Sequence, residues 1–326
     1  MRKRITLADI AKELDLDKSS VSLALRGHAR VSEETRARVL ETARRLGYRV
    51  NAAAQQLATG KSNMLGLILS GSFGILHAEV AMRTIERLAS LVSAGGKAFT
   101  MLSASDLIRA VHDPLALPHP DGVFVWGDVP LTAIADAGLR DTPTVIIDPH
   151  HVSYAGYRGL HVTMDNKGAG RMMVEHLVSR GVQRLLFIQA HTDHLGHMQR
   201  WDGARQAWAE KRPPQNLTCT PVDEVDDNLL RAFATGDDGG ILCAVDYWAV
   251  VLLRRLLRMG FQVPKNIRIA GINGEEPARL MGVTTAAFDA NSLAEKSYQV
   301  LQAALAHRPV APIPPIPFTL EVGETT

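Results

Sequence analysis

The stretch from Thr6 to Gly27, TLADIAKELDLDKSSVSLALRG, is the strongest constraint on what this chain can fold into. Leu7, Ile10, Ala11 and Leu14 recur at helical spacing, with Thr6 placed to cap the helix. Asp15-Leu16 leaves a short break before Asp17, which can cap a second helix. That helix has Val21, Ala24 and Leu25 on its apolar side and stops at Gly27. Two short amphipathic helices across a tight turn predict a helix-turn-helix, a unit whose second helix enters the DNA major groove. An ordinary helical hairpin would show the same spacing, so the surrounding chain has to decide.

Charge supplies part of that decision. The net charge of +2 hides an asymmetry: residues 1–62 hold 13 Lys/Arg against 7 Asp/Glu, and the remainder holds 23 against 27. The positive charge thus sits on the small helical head, where a polyanion needs it. A merely solvated basic face would not account for a body of opposite sign. At 326 residues and 46% hydrophobic content, the chain exceeds one typical domain and can bury large cores. Cys219 and Cys243 are its only cysteines, which excludes a disulfide framework and a CxxC metal motif. Met1-Arg2-Lys3-Arg4 imitates the basic start of a signal peptide, but Asp9, Lys12, Glu13, Asp15 and Asp17 break up the apolar core that such a signal needs next. With no uncharged apolar run of membrane-spanning length, a cytoplasmic protein without a membrane partner is expected.

Beyond Gly27, Ser32 caps a third helix whose first turn carries Glu33 and Glu34 and whose apolar stripe is Val39, Leu40, Ala43 and Leu46, before Gly47. Tyr48-Arg49-Val50-Asn51 leads into Ala52-Ala53-Ala54-Gln55-Gln56-Leu57-Ala58, a helix-prone run closed by Thr59-Gly60. About two helical turns are marginal in water without a packing partner. The run is expected to order only when something holds it.

From Met64 the chain alternates strand and helix signals. Apolar runs at Met64–Ser70, Ala98–Leu102, Val123–Trp126 and Val145–Ile147 are separated by amphipathic stretches such as Ala78–Ser93 and Leu131–Ala137. The pattern is read as restarting with His161–Met164, Arg184–Gln189, Gly240–Val245 and Ile267–Ile272, separated by helices over Gly168–Ser179, Arg200–Glu210 and Trp248–Met259. Such alternation builds doubly wound parallel sheets, and two sets in one chain build two lobes with a ligand cleft at the carboxyl ends of their strands. The Pro-rich Ala311–Pro317 reads as extended edge structure, and no leucine heptads for a further oligomerising helix come after it.

Enzyme-like motifs fail on inspection. Gly60-Lys61-Ser62 ends like a phosphate-binding loop, but the Gly required five residues before Gly60 is Gln55. Gly168-Ala169-Gly170 opens a dinucleotide fingerprint and fails at Met173, and there is no GxSxG elbow. His191, His194 and His197 sit three apart; a polar loop beside the cleft explains them without a metal. No paired acid and base or activated nucleophile is visible, so neither catalysis nor a cofactor is expected. Asp246 comes directly after the strand ending at Val245, Asp148 closes Val145-Ile146-Ile147, and Arg200 is read as starting the helix of QRWDGARQAW. A carboxylate with a donor-only guanidinium is the chemistry that polyols need; a helix cap or an interlobe ion pair is the alternative for each. Ser72, Phe73 and Trp126 fall near strand ends and are candidates for the cleft wall, with core packing equally open for Phe73.

DIAKELDLDKSSVSLALRG, VSEETRARVLETARRLGYRVNAAAQQLATG and MLGLIL together resemble the head, hinge and first core strand of the lactose/galactose repressor family, without a gap, and the likeness runs on more weakly to about residue 307. The resemblance implies a dimeric bacterial regulator: a helix-turn-helix head over 1–50, a hinge helix and linker over 51–62, and a two-lobed, periplasmic-binding-protein-like α/β core over 63–326. Lobe 1 is expected at about 63–160 and lobe 2 at about 161–290, with the chain crossing back near its C-terminus. The DNA contacts it implies are Thr6, Lys18, Ser19, Ser20, Ser22, Leu23, Arg30, Asn51, Ala54, Gln55 and Leu57, with Leu57 wedged between base pairs of the minor groove. The effector contacts it implies are Asp148, Arg200, Asp246 and Asn273, beside the candidates Ser72, Phe73 and Trp126. Four positions depart from the family pattern: Asp15 replaces a turn Gly, Leu23 a recognition Arg, Val50 a hinge Pro and Asn273 an Asp. The expected activity is repression from a pseudo-palindromic double-stranded operator, controlled by a small metabolite such as a sugar. A two-lobed sugar-binding protein without DNA function is the alternative, disfavoured by the basic head.

Overall fold

The computed structural model describes residues 5–25, 27–48, 61–69, 79–103, 106–107, 109, 119–127, 129–149, 157–190 and 194–326. The candidates Asn51, Ala54, Gln55, Leu57, Ser72 and Phe73, with His191, lie outside them. The chain divides into two compact units, Met1–Ser62 and Asn63–Thr326.

In the first unit, α1 (Leu7–Leu14), α2 (Lys18–Leu25) and α3 (Glu33–Leu46) enclose a core of Ile10, Ala11, Val21, Ala24, Val39 and Ala43. These are the apolar positions of the helical spacing, so each helix is fixed by its buried stripe more than by its propensity. The ends are closed by local chemistry. The backbone N–H of Thr6 donates to Asp9 Oδ2 at 2.8 Å, and the Ser32 hydroxyl accepts from the Thr35 amide at 3.2 Å. Asp15 ends α1 in the left-handed region at φ 55°, a conformation that Asp tolerates better than most residues. The turn therefore survives without the family's glycine.

The second unit holds two sheets. The first, in order β2-β1-β3-β4-β5, is parallel throughout: β1 (Met64–Leu69), β2 (Ala98–Ser103), β3 (Gly122–Trp126), β4 (Thr144–Ile147) and β5 (His161–Val162). Helix α4 (Glu79–Ala94) joins β1 to β2, and α5 (Leu131–Ile134), continued by a π-helical turn over Ala135–Leu139, joins β3 to β4. The second sheet has the order β11-β10-β9-β8-β6-β7. Its strands are β6 (Arg184–Gln189), β7 (Leu217–Pro221), β8 (Gly239–Cys243), β9 (Ile267–Asn273), β10 (Thr284–Phe288) and β11 (Phe318–Glu321), the last antiparallel to β10. Helices α6 (Asn166–Ser179), α7 (Leu195–Lys211), α8 (Asp227–Ala234), α9 (Asp246–Arg258) and α10 (Glu276–Leu280) serve this sheet.

One sequence expectation is corrected here. His161–Val162 does not open the second set: it pairs in parallel with Ile146–Ile147 as the edge of the first sheet, so the restart falls after it. Within the Pro-rich Ala311–Pro317, read as extended edge structure, Ile316 makes an isolated parallel bridge with Met164, and β11 begins just beyond, because four prolines cannot donate to a ladder.

Over the described residues the chain crosses between lobes three times. Helix α11 (Ala290–Leu305) comes after β10 of the second sheet yet packs on α4, β3, β4 and β5 of the first. The remaining crossings, at Thr163–Asp165 and near Ile316, hydrogen-bond each other: Ile316 N–H donates to Thr163 O and Asp165 N–H to Ile316 O, both at 2.8 Å.

Helices α6 and α7 cross at two glycines. A Cβ on Gly170 would lie 1.9 Å from the Arg200 carbonyl oxygen, and one on Gly203 would lie 2.0 Å from that of Lys167. Only hydrogen fits at either position. Gly203→Ala should therefore lower the unfolding free energy by about 1–3 kcal/mol despite alanine's better helix propensity, read as a lower urea midpoint.

Candidate functional site

The head presents α2 as its candidate reading helix. Val21 and Ala24 are fully buried against α1 and α3, which turns the opposite face outward. Lys18 and Ser19 are exposed, as are Thr6 and Arg30, whereas Ser20, Ser22 and Leu23 are half-buried. Lys18 and Ser19 thus offer a flexible cation and a hydroxyl, and Leu23 offers an apolar edge. After the helix, His28 Nδ1 accepts from the Arg30 amide at 3.3 Å, which shapes the loop carrying Arg30. The Glu13–Arg45 ion pair ties α1 to α3.

In the core, polar side chains gather at the carboxyl ends of the strands. Asp148 sits just past β4 with φ 40° and is buried; its Oδ1 accepts from the amide of Met164 in the first crossing at 3.3 Å. Arg200 does not start its helix. It lies in the second turn of α7, which begins at Leu195 after the His194 cap, and only 3% of its surface is exposed. Its Nε donates to Asn166 Oδ1 at 2.8 Å and its Nη1 to the Ala244 carbonyl at 2.5 Å, while the guanidinium carbon lies 5.5 Å from the centre of the Phe318 ring. Burial pushes the Arg200 guanidinium down to about 10, against the opposing charges of Asp148, Asp246 and Glu275.

Asp246, the first residue of α9, is fully buried. Its Oδ1 accepts from the Thr285 hydroxyl at 2.7 Å and its Oδ2 from the Glu275 amide at 2.8 Å. Burial raises its pKa above the usual carboxylate range, and these hydrogen bonds pull it part of the way back. Asn273 ends β9 at φ 142° and donates through Nδ2 to Glu275 Oε1 at 3.1 Å. Glu275 is itself held above its usual range by burial, with Asp246 and Glu79 adding like charge. Trp126 ends β3 inside the main apolar core. The structure thus gathers Asp148, Arg200, Asp246 and Asn273, and adds Asn166, Glu275, Thr285 and Phe318, which the sequence pattern does not single out.

His194 and His197 stack with ring centroids 4.1 Å apart, and His194 Nδ1 accepts from the His197 amide. Among the described residues no group of His, Cys, Asp and Glu is placed to hold a metal ion, and no helix is long and apolar enough to cross a membrane. Cys243 and Cys219 are free thiols raised by burial, Cys219 to about 11.

A helix-turn-helix head and a two-sheet core with polar groups at its strand ends define a DNA-binding regulator with a ligand-binding body. Residues 6–51 match the family model of the lacI family of bacterial regulatory proteins, and residues 174–326 match that of a periplasmic binding protein-like domain. Catabolite control protein A of Staphylococcus xylosus is 24% identical over 278 residues, 82% of each chain. The HTH-type transcriptional regulator AglR of Rhizobium meliloti is 49% identical over 71 residues, 22% of this chain and 20% of that one. The crystal structure of the lac repressor dimer bound to operator and the anti-inducer ONPF shares the fold, with a TM-score of 0.79 at 21% identity over 99% of both chains.

Removing one partner from a buried charge cluster leaves the others uncompensated. Arg200→Ala should therefore cost about 3–5 kcal/mol in urea unfolding. Arg200→Lys should restore little of it, because an ammonium cannot reach Asn166 and Ala244 in one plane.

Proposed function

We propose that this chain is a cytoplasmic, ligand-responsive repressor that binds a pseudo-palindromic operator as a homodimer and senses a sugar-like metabolite between its lobes. The observation that carries the reading is α2: its apolar side is closed by the head core, and its outward side carries Lys18, Ser19 and Leu23. In this reading Lys18 donates to guanine, Ser19 to several bases, and Leu23 meets a thymine methyl. Thr6, Ser20, Ser22 and Arg30 position the head on phosphates and neighbouring bases, while Asn51, Ala54, Gln55 and Leu57 act in the minor groove. The solved lac repressor was seen as a dimer on operator, which supports the same assembly here. Exposed Tyr247, Val251, Leu280 and Met281 supply apolar surface for the second copy.

The effector reading rests on Asp148, Arg200, Asp246 and Asn273, with Trp126, Ser72 and Phe73 as wall. A hydroxyl-rich ligand offers donors to the carboxylates and acceptors to the guanidinium. Asp246 enters such contacts by exchanging its bonds to Thr285 and the Glu275 amide. The family is one of transcriptional regulators, and we assign this chain no catalytic role.

Two measurements test the two halves. Selection from random DNA should return a two-fold symmetric site, and Leu23→Arg should change the preferred base at one position per half-site by about 1–3 kcal/mol. An unchanged profile would remove Leu23 from base reading. In a thermal-shift screen of sugars and sugar acids, a specific ligand at 100 times its Kd should add about 2.7 kcal/mol of stability. Asp246→Asn, which keeps the shape and an acceptor, should weaken that ligand at least about tenfold by removing a charge-assisted contact. Wild-type affinity in the variant would place the ligand elsewhere.

A further inference from the structure

The loop between β9 and α10 is held by a run of backbone amides, each taken by a side chain from a different element. The Gly274 amide donates to Thr285 Oγ1 at 3.1 Å and the Glu275 amide to Asp246 Oδ2 at 2.8 Å. The next amide, of Glu276, donates to Glu79 Oε2, and Glu79 is the first residue of α4 in the other lobe. Helix α10 provides no substitute of its own. Its cap residue Glu275 makes no side-chain capping bond, and Pro277 has no N–H to offer. The Ala278 amide already returns to Glu275 O at 3.0 Å. An orphan first-turn amide of lobe 2 is therefore satisfied by a carboxylate of lobe 1.

Glu79 is set for this by its own helix. Its Oε1 lies 3.4 Å from Nη1 of Arg83, one turn on, which leaves Oε2 for the neighbouring lobe. A carboxylate at the start of α10 also faces the positive end of that helix.

We infer that Glu79 is a positioning residue of the cleft: by capping α10 across the lobes it clasps them together and fixes the Asn273–Glu276 loop that covers Asp246. Lobe spacing and access to Asp246 then become one variable. Opening the lobes breaks the Glu79 bond and loosens the loop, and displacing the loop from Asp246 releases the clasp. The consequence for effector binding rests on the cleft reading proposed above, but the clasp itself is testable with no ligand and no operator.

The test is hydrogen–deuterium exchange on the full-length protein, comparing wild type with Glu79→Ala, Glu79→Gln and Glu276→Pro. Glutamine keeps an acceptor oxygen. Proline removes the donor at the first helical position, where its ring is tolerated, and Glu275 at φ −78° and ψ 147° already has the backbone that a succeeding proline requires. Losing one charge-assisted bond should speed exchange about tenfold in Glu79→Ala, both over 274–282 and in the crossing segments around Met164 and Ile316. Strands β1 and β8 should keep wild-type rates. Glu276→Pro should accelerate the crossings equally, and Glu79→Gln, which keeps the acceptor but not the charge, should fall between wild type and Glu79→Ala. The crossing segments are the decisive readout, since a purely local cap has no reason to move them. Faster exchange confined to 274–282, a uniform rise through both sheets, or wild-type rates in Glu79→Ala would each overturn the clasp. Glu79→Gln matching Glu79→Ala would overturn its basis in the acceptor oxygen.

Discussion

A guanidinium removed from water must find partners nearby, because the desolvation of an unpaired charge exceeds what any single contact returns. Arg200 meets that demand by drawing on several parts of the second lobe at once. Asn166 stands at the start of α6, Ala244 just past the end of β8, and Phe318 at the start of β11. Two of these lie just beyond places where the chain enters the lobe from the other one. The buried polar cluster at the strand ends and the roots of two crossings are thus built around one charge. The glycine crossing of α6 and α7 makes this possible. With Gly170 under the Arg200 carbonyl and Gly203 under that of Lys167, the two helices approach closely enough for Arg200 to reach Asn166.

Much of this architecture is legible in the sequence, for reasons that are local. The head can be read because its three helices carry their own apolar stripes and α1 and α3 their own caps, and the strand-helix alternation from Met64 onward points to both sheets. The failures share a cause. His161–Val162 is two residues long, and nothing within two residues says which sheet will accept them; the pairing with Ile146 and Ile147 is a tertiary fact. The start of α7 is hidden because its cap is a histidine, a residue type with little capping signal. Strand β10, TTAAF, is buried throughout but carries little apolar bulk, so it shows neither alternation nor a strong hydrophobic run.

The candidate site divides in the same way. Asp148 and Asp246 stand out because strand ends in a doubly wound sheet are where polar groups face a ligand, whereas Arg200 and Asn273 are picked out by the family resemblance. Their partners are not legible. Thr285 and Glu275 lie 39 and 29 residues from Asp246 in sequence, and the contact to Glu275 uses a backbone amide, which no side-chain motif announces. Glu79 is more remote still, 197 residues from the amide it accepts. A helix start with Pro277 at its second position and an unhelpful cap does leave a readable trace: a first-turn amide that something else must satisfy.

These partners change what a ligand has to do. In an empty polar cleft each new hydrogen bond would add to affinity, whereas here both oxygens of Asp246 are already taken by protein donors. A ligand that reaches Asp246 exchanges one set of bonds for another, and the net return per bond is small, on the order of 1 kcal/mol. Affinity must then come from contacts that the closed arrangement lacks, together with the apolar surface covered when the lobes re-close. Only such differential contacts shift a two-state equilibrium; a ligand that fits both arrangements equally moves nothing, however tightly it binds. A carboxylate buried under its own loop therefore suits a sensor better than a simple receptor. Under the proposed effector reading, the protein's own bonds to Asp246 act as the competing ligand, and the energy of displacing them would link ligand binding to the disposition of the lobes.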